Sequence, residues 1–202
     1  MKKRFLGSTA ILALALAIIA LPARAQDAKP MEKKAEQKAE MKADMKPAAG
    51  ARGEIMGQID AAEKKLVALA EAMPADKYGW RPGEGVRSVG EVFAHVSGAN
   101  YFLPTLWGGK IPAGVDPRGF EKEGGDKAKT VGTLKASFDN VRQAIGAVPD
   151  GDLDRAVKVF DHDGTVREVV LIIATHAHEH LGQAIAYARM NSVTPPWSAQ
   201  GQ

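Results

Sequence analysis

The chain has 202 residues, with 27 Lys+Arg against 24 Asp+Glu, a formal net charge of +3 and a sequence pI of about 9.0. At 45% hydrophobic and 25% charged it has a globular composition, and its length fits one domain with appendages. It contains no cysteine, which excludes disulfides, thiolate metal sites, a cysteine nucleophile and a lipidated cysteine anchor.

Residues 1–25 read as a secretory signal peptide. Lys2, Lys3 and Arg4 precede the uncharged apolar run Ala10 to Leu21, and Pro22-Ala23-Arg24-Ala25 supplies an A-x-A cleavage site. The apolar run is short of the ~20 residues that span hydrocarbon, so the expectation is a cleaved leader and a periplasmic or secreted protein, with no stable membrane anchor after cleavage. Cleavage removes Lys2, Lys3, Arg4 and Arg24 but no acidic residue, which takes the formal charge from +3 to −1. The basicity therefore belongs to the leader. A nucleic-acid partner loses its support, and no finger or RNP signature replaces it.

Residues 26–50 form a low-complexity spacer. Lys34-Ala35-Glu36-Gln37, Lys38-Ala39-Glu40-Met41 and Lys42-Ala43-Asp44-Met45 are near-repeats of period four. Their Lys–carboxylate pairs support helix weakly, at ~0.3–0.5 kcal/mol each, and no apolar stripe wide enough to dock emerges. The expectation is a solvated, partly helical spacer ended by Pro47 and Gly50.

From residue 51 to the end, four segments carry helical periodicity. Ile55, Ile59, Ala62, Leu66, Leu69 and Met73 share one face of the first, which Pro74 stops. The second opens on a capping box, Ser88 with Glu91, and carries Val92, His95, Ala99, Phe102 and Leu106 up to Gly108-Gly109. The third starts near Thr130 and aligns Val131, Leu134, Phe138, Val141, Ile145 and Val148. The fourth opens on Thr165 with Glu168 and carries Val169, Ile173, His176, His180, Gln183 and Tyr187, with Pro195-Pro196 past its end.

Four such stripes predict an all-α four-helix bundle, with a long crossover connection between helices 2 and 3 from Gly108 to Ala128. Residues 156–160 read as a short extended piece before an Asp161-His162-Asp163-Gly164 turn, where His162 is expected to be solvated.

The core stripes contain residues that a core ordinarily rejects. Burying an unpartnered polar group costs about 1–3 kcal/mol, yet His95 interrupts helix 2, and His176, His180, Gln183 and Tyr187 interrupt helix 4. His176 and His180, at i and i+4, project from consecutive turns, the spacing by which one helix offers two imidazoles to one ion. His95 is the remaining histidine on an inward stripe. His178 lies about 200° around the helix from His176 and should face away.

A single histidine on an apolar face is ordinarily a satisfied core residue, and an i,i+4 pair alone is a weak signal. Three of the five histidines on the inner faces of two helices point instead to a metal site. Three neutral imidazoles leave room for water or substrate, as in catalytic sites. The donor set admits Zn, Ni, Co or Fe as the divalent ion. Glu91, one turn before His95, is a candidate catalytic base as well as a cap, and Tyr187 a candidate catalytic or pocket residue as well as a packed one. Gln183 is a candidate for orienting ligands.

These residues also carry a resemblance. Trp80-Arg81-Pro82 followed by Ser88-Val89-Gly90-Glu91-Val92-Phe93-Ala94-His95-Val96 resembles the second-helix entry of the DinB-like (DinB/YfiT) superfamily. His176-Ala177-His178-Glu179-His180-Leu181-Gly182-Gln183-Ala184-Ile185-Ala186-Tyr187-Ala188-Arg189-Met190 with Pro195-Pro196 resembles its last helix. Two positions depart from the family pattern: Glu179 stands where an extra histidine is frequent, and Leu181 replaces an arginine. An activity that uses that arginine is not implied.

The resemblance spans nearly all of 51–197. It implies a four-helix bundle of unusual topology holding a divalent metal on His95, His176 and His180. Relatives include thiol-dependent S-transferases and metal-dependent hydrolases or isomerases, and homodimers are common among them. Two readings stay open: a metal-dependent transferase or hydrolase using a metal-activated water or thiol on a small-molecule substrate, or a non-catalytic periplasmic metal or small-molecule binder. A third, a structural envelope protein, requires the histidines to be incidental. An exported protein meets a different thiol pool from the cytosol, which weighs against the S-transferase variant.

Overall fold

The computed structural model describes residues 50–198, so the leader and most of the spacer lie outside the described residues. Four α-helices dominate them: α1 (Ala51–Ala72), α2 (Val89–Phe102), α3 (Lys127–Gly146) and α4 (Val166–Met190). A two-stranded antiparallel hairpin, β1 (Ala156–Val159) with β2 (His162–Thr165), precedes α4. None of these helices is long and apolar enough to cross a membrane.

The apolar stripes form one core. Ile59, Leu66 and Leu69 of α1, Val92 and Val96 of α2, Leu134, Phe138, Val141 and Ile145 of α3, and Val169 and Ile173 of α4 are all fully buried. α1 packs on α3 and α4, and α2 packs on the same two helices, while α1 and α2 meet only marginally. Helices consecutive in the chain are thus diagonal, except α2 and α3. Those two neighbours are joined by the predicted long connection. The result is the all-α bundle that the stripes implied, but the diagonal steps fall between α1 and α2 and between α3 and α4, while the long connection joins two neighbours.

Local chemistry sets the ends. Met73 adopts an extended conformation before Pro74, which disfavours the helical region for its predecessor. The Lys127 ammonium at the start of α3 then donates to the carbonyls of Glu71 and Met73, both at 2.7 Å, satisfying groups at the α1 terminus. Asp126 caps α3 by accepting from the Lys129 amide at 3.0 Å, a turn earlier than the stripe alone suggested.

The second helix departs from its prediction. The α-helix stops at Phe102, Leu103–Trp107 continue as a 3₁₀ turn, and Phe102, expected on the inner stripe, is exposed at 46%. Pro104 is the cause: it has no amide with which to reach the Asn100 carbonyl. The Asn140 side chain of α3 donates to that carbonyl instead, at 3.2 Å. The Asn100 amide donates in turn to Ser137 Oγ at 3.1 Å, so the α2–α3 contact contains a satisfied polar network.

The hairpin also differs in detail. Residues 156–159 are extended, as expected, but the turn is Phe160-Asp161, with Val159 opposite His162. His162 therefore belongs to β2. It is exposed, yet bonded through Nε2 to Glu168 Oε1 at 2.7 Å. The Thr165 hydroxyl accepts from the Glu168 amide at 3.2 Å, but the Glu168 carboxylate turns to His162, so only the Thr165 half of the expected Thr165–Glu168 capping box is formed.

Candidate metal centre

α2 contributes His95 and α4 contributes His176 and His180, and the packing of these two helices brings the rings together. Ring centroids lie 5.1 Å apart for His95–His176, 4.8 Å for His95–His180 and 4.4 Å for His176–His180. Each ring offers a nitrogen, and these nitrogens lie within 4.8 Å of one another. His178 stands outside the cluster, exposed, with Nδ1 against the Ala174 carbonyl of its own helix at 2.9 Å.

The hydrogen bonds around the cluster decide which nitrogens are offered. His95 Nδ1 lies 2.8 Å from Glu121 Oε1. A carboxylate only accepts, so this Nδ1 carries the proton and Nε2 keeps its lone pair. His180 Nδ1 lies 2.8 Å from Gln183 Oε1, while Gln183 Nε2 donates to the Tyr187 hydroxyl at 3.0 Å. His180 Nε2 is likewise left as an acceptor. His176 Nε2 sits 3.1 Å from His95 Nε2. Two nitrogens bound to one tetrahedral ion at the usual 2.0–2.1 Å are about 3.3 Å apart, so this pair already has close to the spacing that coordination demands. The three residues fit a divalent cation that accepts nitrogen donors.

Burial reinforces the neutral, ligating form. Desolvation, followed by the neighbouring His180, His95 and Arg87, pushes His176 down to about 4. Burial also lowers His180, against the opposing hydrogen bond of Gln183, and His95 lowers it further. The site nevertheless opens to solvent on one side, where the His95 side chain is 27% exposed and that of Glu121 40%.

Glu121 was not foreseen in the sequence. It belongs to the 3₁₀ segment Pro117–Glu123 inside the long α2–α3 connection, where no periodicity marks a facing direction. Two glycines place it there. A Cβ on Gly90 would overlap the Gly124 carbonyl oxygen, and one on Gly124 would meet the Glu91 amide nitrogen at 2.8 Å. Only hydrogens at both positions let the connection lie against the first turn of α2. Arg87 Nε then donates to Glu121 Oε2 at 3.0 Å. Burial would raise the Glu121 carboxyl, but the hydrogen bonds from Arg87 and His95 outweigh it and hold it below the ordinary carboxylate range. Arg87, Glu121 and His95 make a relay of the kind that fixes the tautomer and orientation of ligating histidines.

The two candidate catalytic residues sit differently. The Glu91 carboxylate is engaged on both oxygens: Oε2 accepts from the Ser88 amide at 2.7 Å and Oε1 from Arg81 at 3.0 Å. The reciprocal Ser88 bond completes the capping box. Tyr187 is buried, accepts from Gln183, and packs edge-on against Trp80 at 5.5 Å.

A helical bundle whose diagonal connectivity brings three histidines from two inner faces to one point defines a class of protein, and sequence comparison agrees with it. A family model described as the DinB superfamily matches residues 58–184. The chain belongs to that superfamily. Among solved structures it is similar to a DinB-like protein of Bacillus cereus at 14% identity and TM-score 0.63, covering 72% of this chain and 95% of that one. It is similar also to a DinB-like protein of Bacillus subtilis at 18% identity and TM-score 0.55, covering 70% and 93%. At these identities the likeness concerns the fold. No curated protein matches the chain.

Proposed function

We propose that the protein is an exported metal-dependent enzyme of transferase or hydrolase type, acting on a small molecule. The observation that carries this reading is the convergence of three imidazoles whose nitrogens lie within 4.8 Å of one another, with the Nδ1 atoms of His95 and His180 bonded outward. A divalent cation held there supplies Lewis acidity, activating a water or thiol as nucleophile near neutral pH or polarising a carbonyl. Glu121 fixes the His95 ring, and Gln183, itself fixed by Tyr187, fixes the His180 ring. The Tyr187 oxygen accepts from Gln183, which leaves its phenol proton to donate toward a bound ligand. Export rests on the leader features of residues 1–25, and envelope-derived protein should begin at Gln26 on N-terminal sequencing.

One observation favours the alternative of a non-catalytic binder. A general base must be unengaged, and both carboxylates nearest the α2 ligand, Glu91 and Glu121, already accept from two groups each. Elemental analysis tests both readings. Wild-type protein should carry about one divalent ion per chain, lost in His95→Ala and in His176→Ala. Wild-type protein that purifies metal-free and takes up none on titration overturns both. Turnover of ester, amide or thiol-acceptor substrates by the metal-loaded form supports the enzyme, and saturable binding without turnover supports the binder.

A further inference from the structure

The charged groups around the three histidines are not balanced in space. Arg87 precedes the N-cap of α2 and lies at the open side of the cluster, its side chain 41% exposed. Its Nε is committed to Glu121 Oε2 at 3.0 Å. Among the described residues its two terminal nitrogens have no hydrogen-bond partner. They form the end of a planar fork that faces solvent while its root is anchored. Glu121 places the guanidinium beside the cluster, because its other oxygen, Oε1, lies 2.8 Å from His95 Nδ1.

With three neutral imidazoles, a divalent ion would bring two positive charges that no ligand carboxylate offsets. Arg87 and Glu121 cancel each other in charge, but each carboxylate oxygen already accepts one hydrogen bond, while the two terminal guanidinium nitrogens have no partner among the described residues. The mouth of the site thus presents two guanidinium nitrogens with donors to give, beside the positive charge that a bound ion would add. Such a mouth favours ligands that bring their own negative charge and two acceptor atoms.

We infer that Arg87 is the recognition residue for a carboxylate on the small molecule this site takes, gripping it through its two terminal nitrogens while Glu121 holds the guanidinium in place. This inference rests on the three-histidine site being a ligand site, and it names the substrate class. Arginine rather than lysine is needed, since one nitrogen must hold Glu121 while two others face the ligand. A lysine at the same place offers a point charge that has to choose.

The probe is benzoate, with benzamide as the uncharged control and inorganic phosphate as the second anion. Each is titrated into the full-length mature protein, metal-free and zinc-loaded, followed by NMR of the arginine Nε–H and histidine ring signals. Benzoate should give saturable shifts of the Arg87 Nε–H and the ring signals, and benzamide should give none. Arg87→Gln should weaken benzoate binding about tenfold or more, as loss of a charge-assisted pair implies, and Arg87→Lys should recover only part of it. The zinc content of each variant is measured in parallel, so a failed metal site and a failed anion site are told apart. Saturable benzoate binding that Arg87→Gln leaves unchanged overturns the inference, and so does the absence of saturable binding to zinc-loaded wild type. Phosphate binding more tightly than benzoate through Arg87 overturns the carboxylate assignment.

Discussion

At the residue scale, two of the three imidazoles do not hold themselves in place. An inward histidine can rotate about χ2 and can carry its proton on either nitrogen, so a ligand set needs partners that choose for it. Glu121 chooses for His95 and Gln183 for His180, each at 2.8 Å. Glu121→Gln removes the acceptor-only character and the charge while keeping the shape. It should lower zinc affinity about 10–100-fold in a competition titration with a chromophoric chelator, with little change in the fold by circular dichroism. Unchanged affinity would mean that His95 is oriented by packing alone. Of these partners, Gln183 was visible in the sequence because it shares a helix with its histidine. Glu121 was not, because a hydrogen bond across 26 residues through an aperiodic connection leaves no mark on local pattern.

At the element scale, the connection between α2 and α3 is part of the site. It reaches His95 because Gly90 and Gly124 touch backbone to backbone. Gly90→Ala should force the 117–123 segment outward, destabilise the domain by about 1–3 kcal/mol in urea unfolding, and lower zinc affinity through the displaced Glu121. Loss of stability with unchanged zinc affinity would show that Glu121 reaches His95 without that contact.

The hairpin makes a second element-scale contact. The hydrogen bond to Glu168, aided by its charge and by Asp161, raises His162 above its ordinary value. A raised folded pKa means that the link stabilises the folded state below the unfolded value of about 6.5, and that this stabilisation is lost as pH rises through the folded value. Thermal melting of wild type against Glu168→Gln should therefore show a gap at pH 5–6 that closes toward pH 9. A gap that widens with pH would contradict the assignment.

At the scale of the whole molecule, the three histidines that could hold an ion come from two helices that are distant in sequence and adjacent in the bundle. An ion held by α2 and α4 cross-links the folded state and has no comparable site in the unfolded chain. Zinc at 100 times its dissociation constant should add about 2.7 kcal/mol to the stability of wild type, read as a rise in Tm, and add nothing to His176→Ala. A Tm that zinc leaves unchanged in wild type would argue that the ion does not bind the folded domain. The packing that makes this possible is diagonal. α1 and α2 are separated by α3 and α4, and all four helices contribute buried apolar residues to one core.

Periodicity alone set much of this. The apolar stripes of α1, α3 and α4, the Ser88–Glu91 cap and the inward direction of His95, His176 and His180 all follow from the 3.6-residue turn, because facing direction on a helix is a local property. The tertiary structure alone decided where α2 ends: the stripe ran on through Leu106 to Gly108-Gly109, whereas the α-helix stops at Phe102 and Asn140 takes up the Asn100 carbonyl that Pro104 leaves free. It alone supplied Glu121 and Arg87. Their partners lie 26 and 34 residues away through a segment with no repeating pattern, and only chain packing brings such groups within 3 Å of one another.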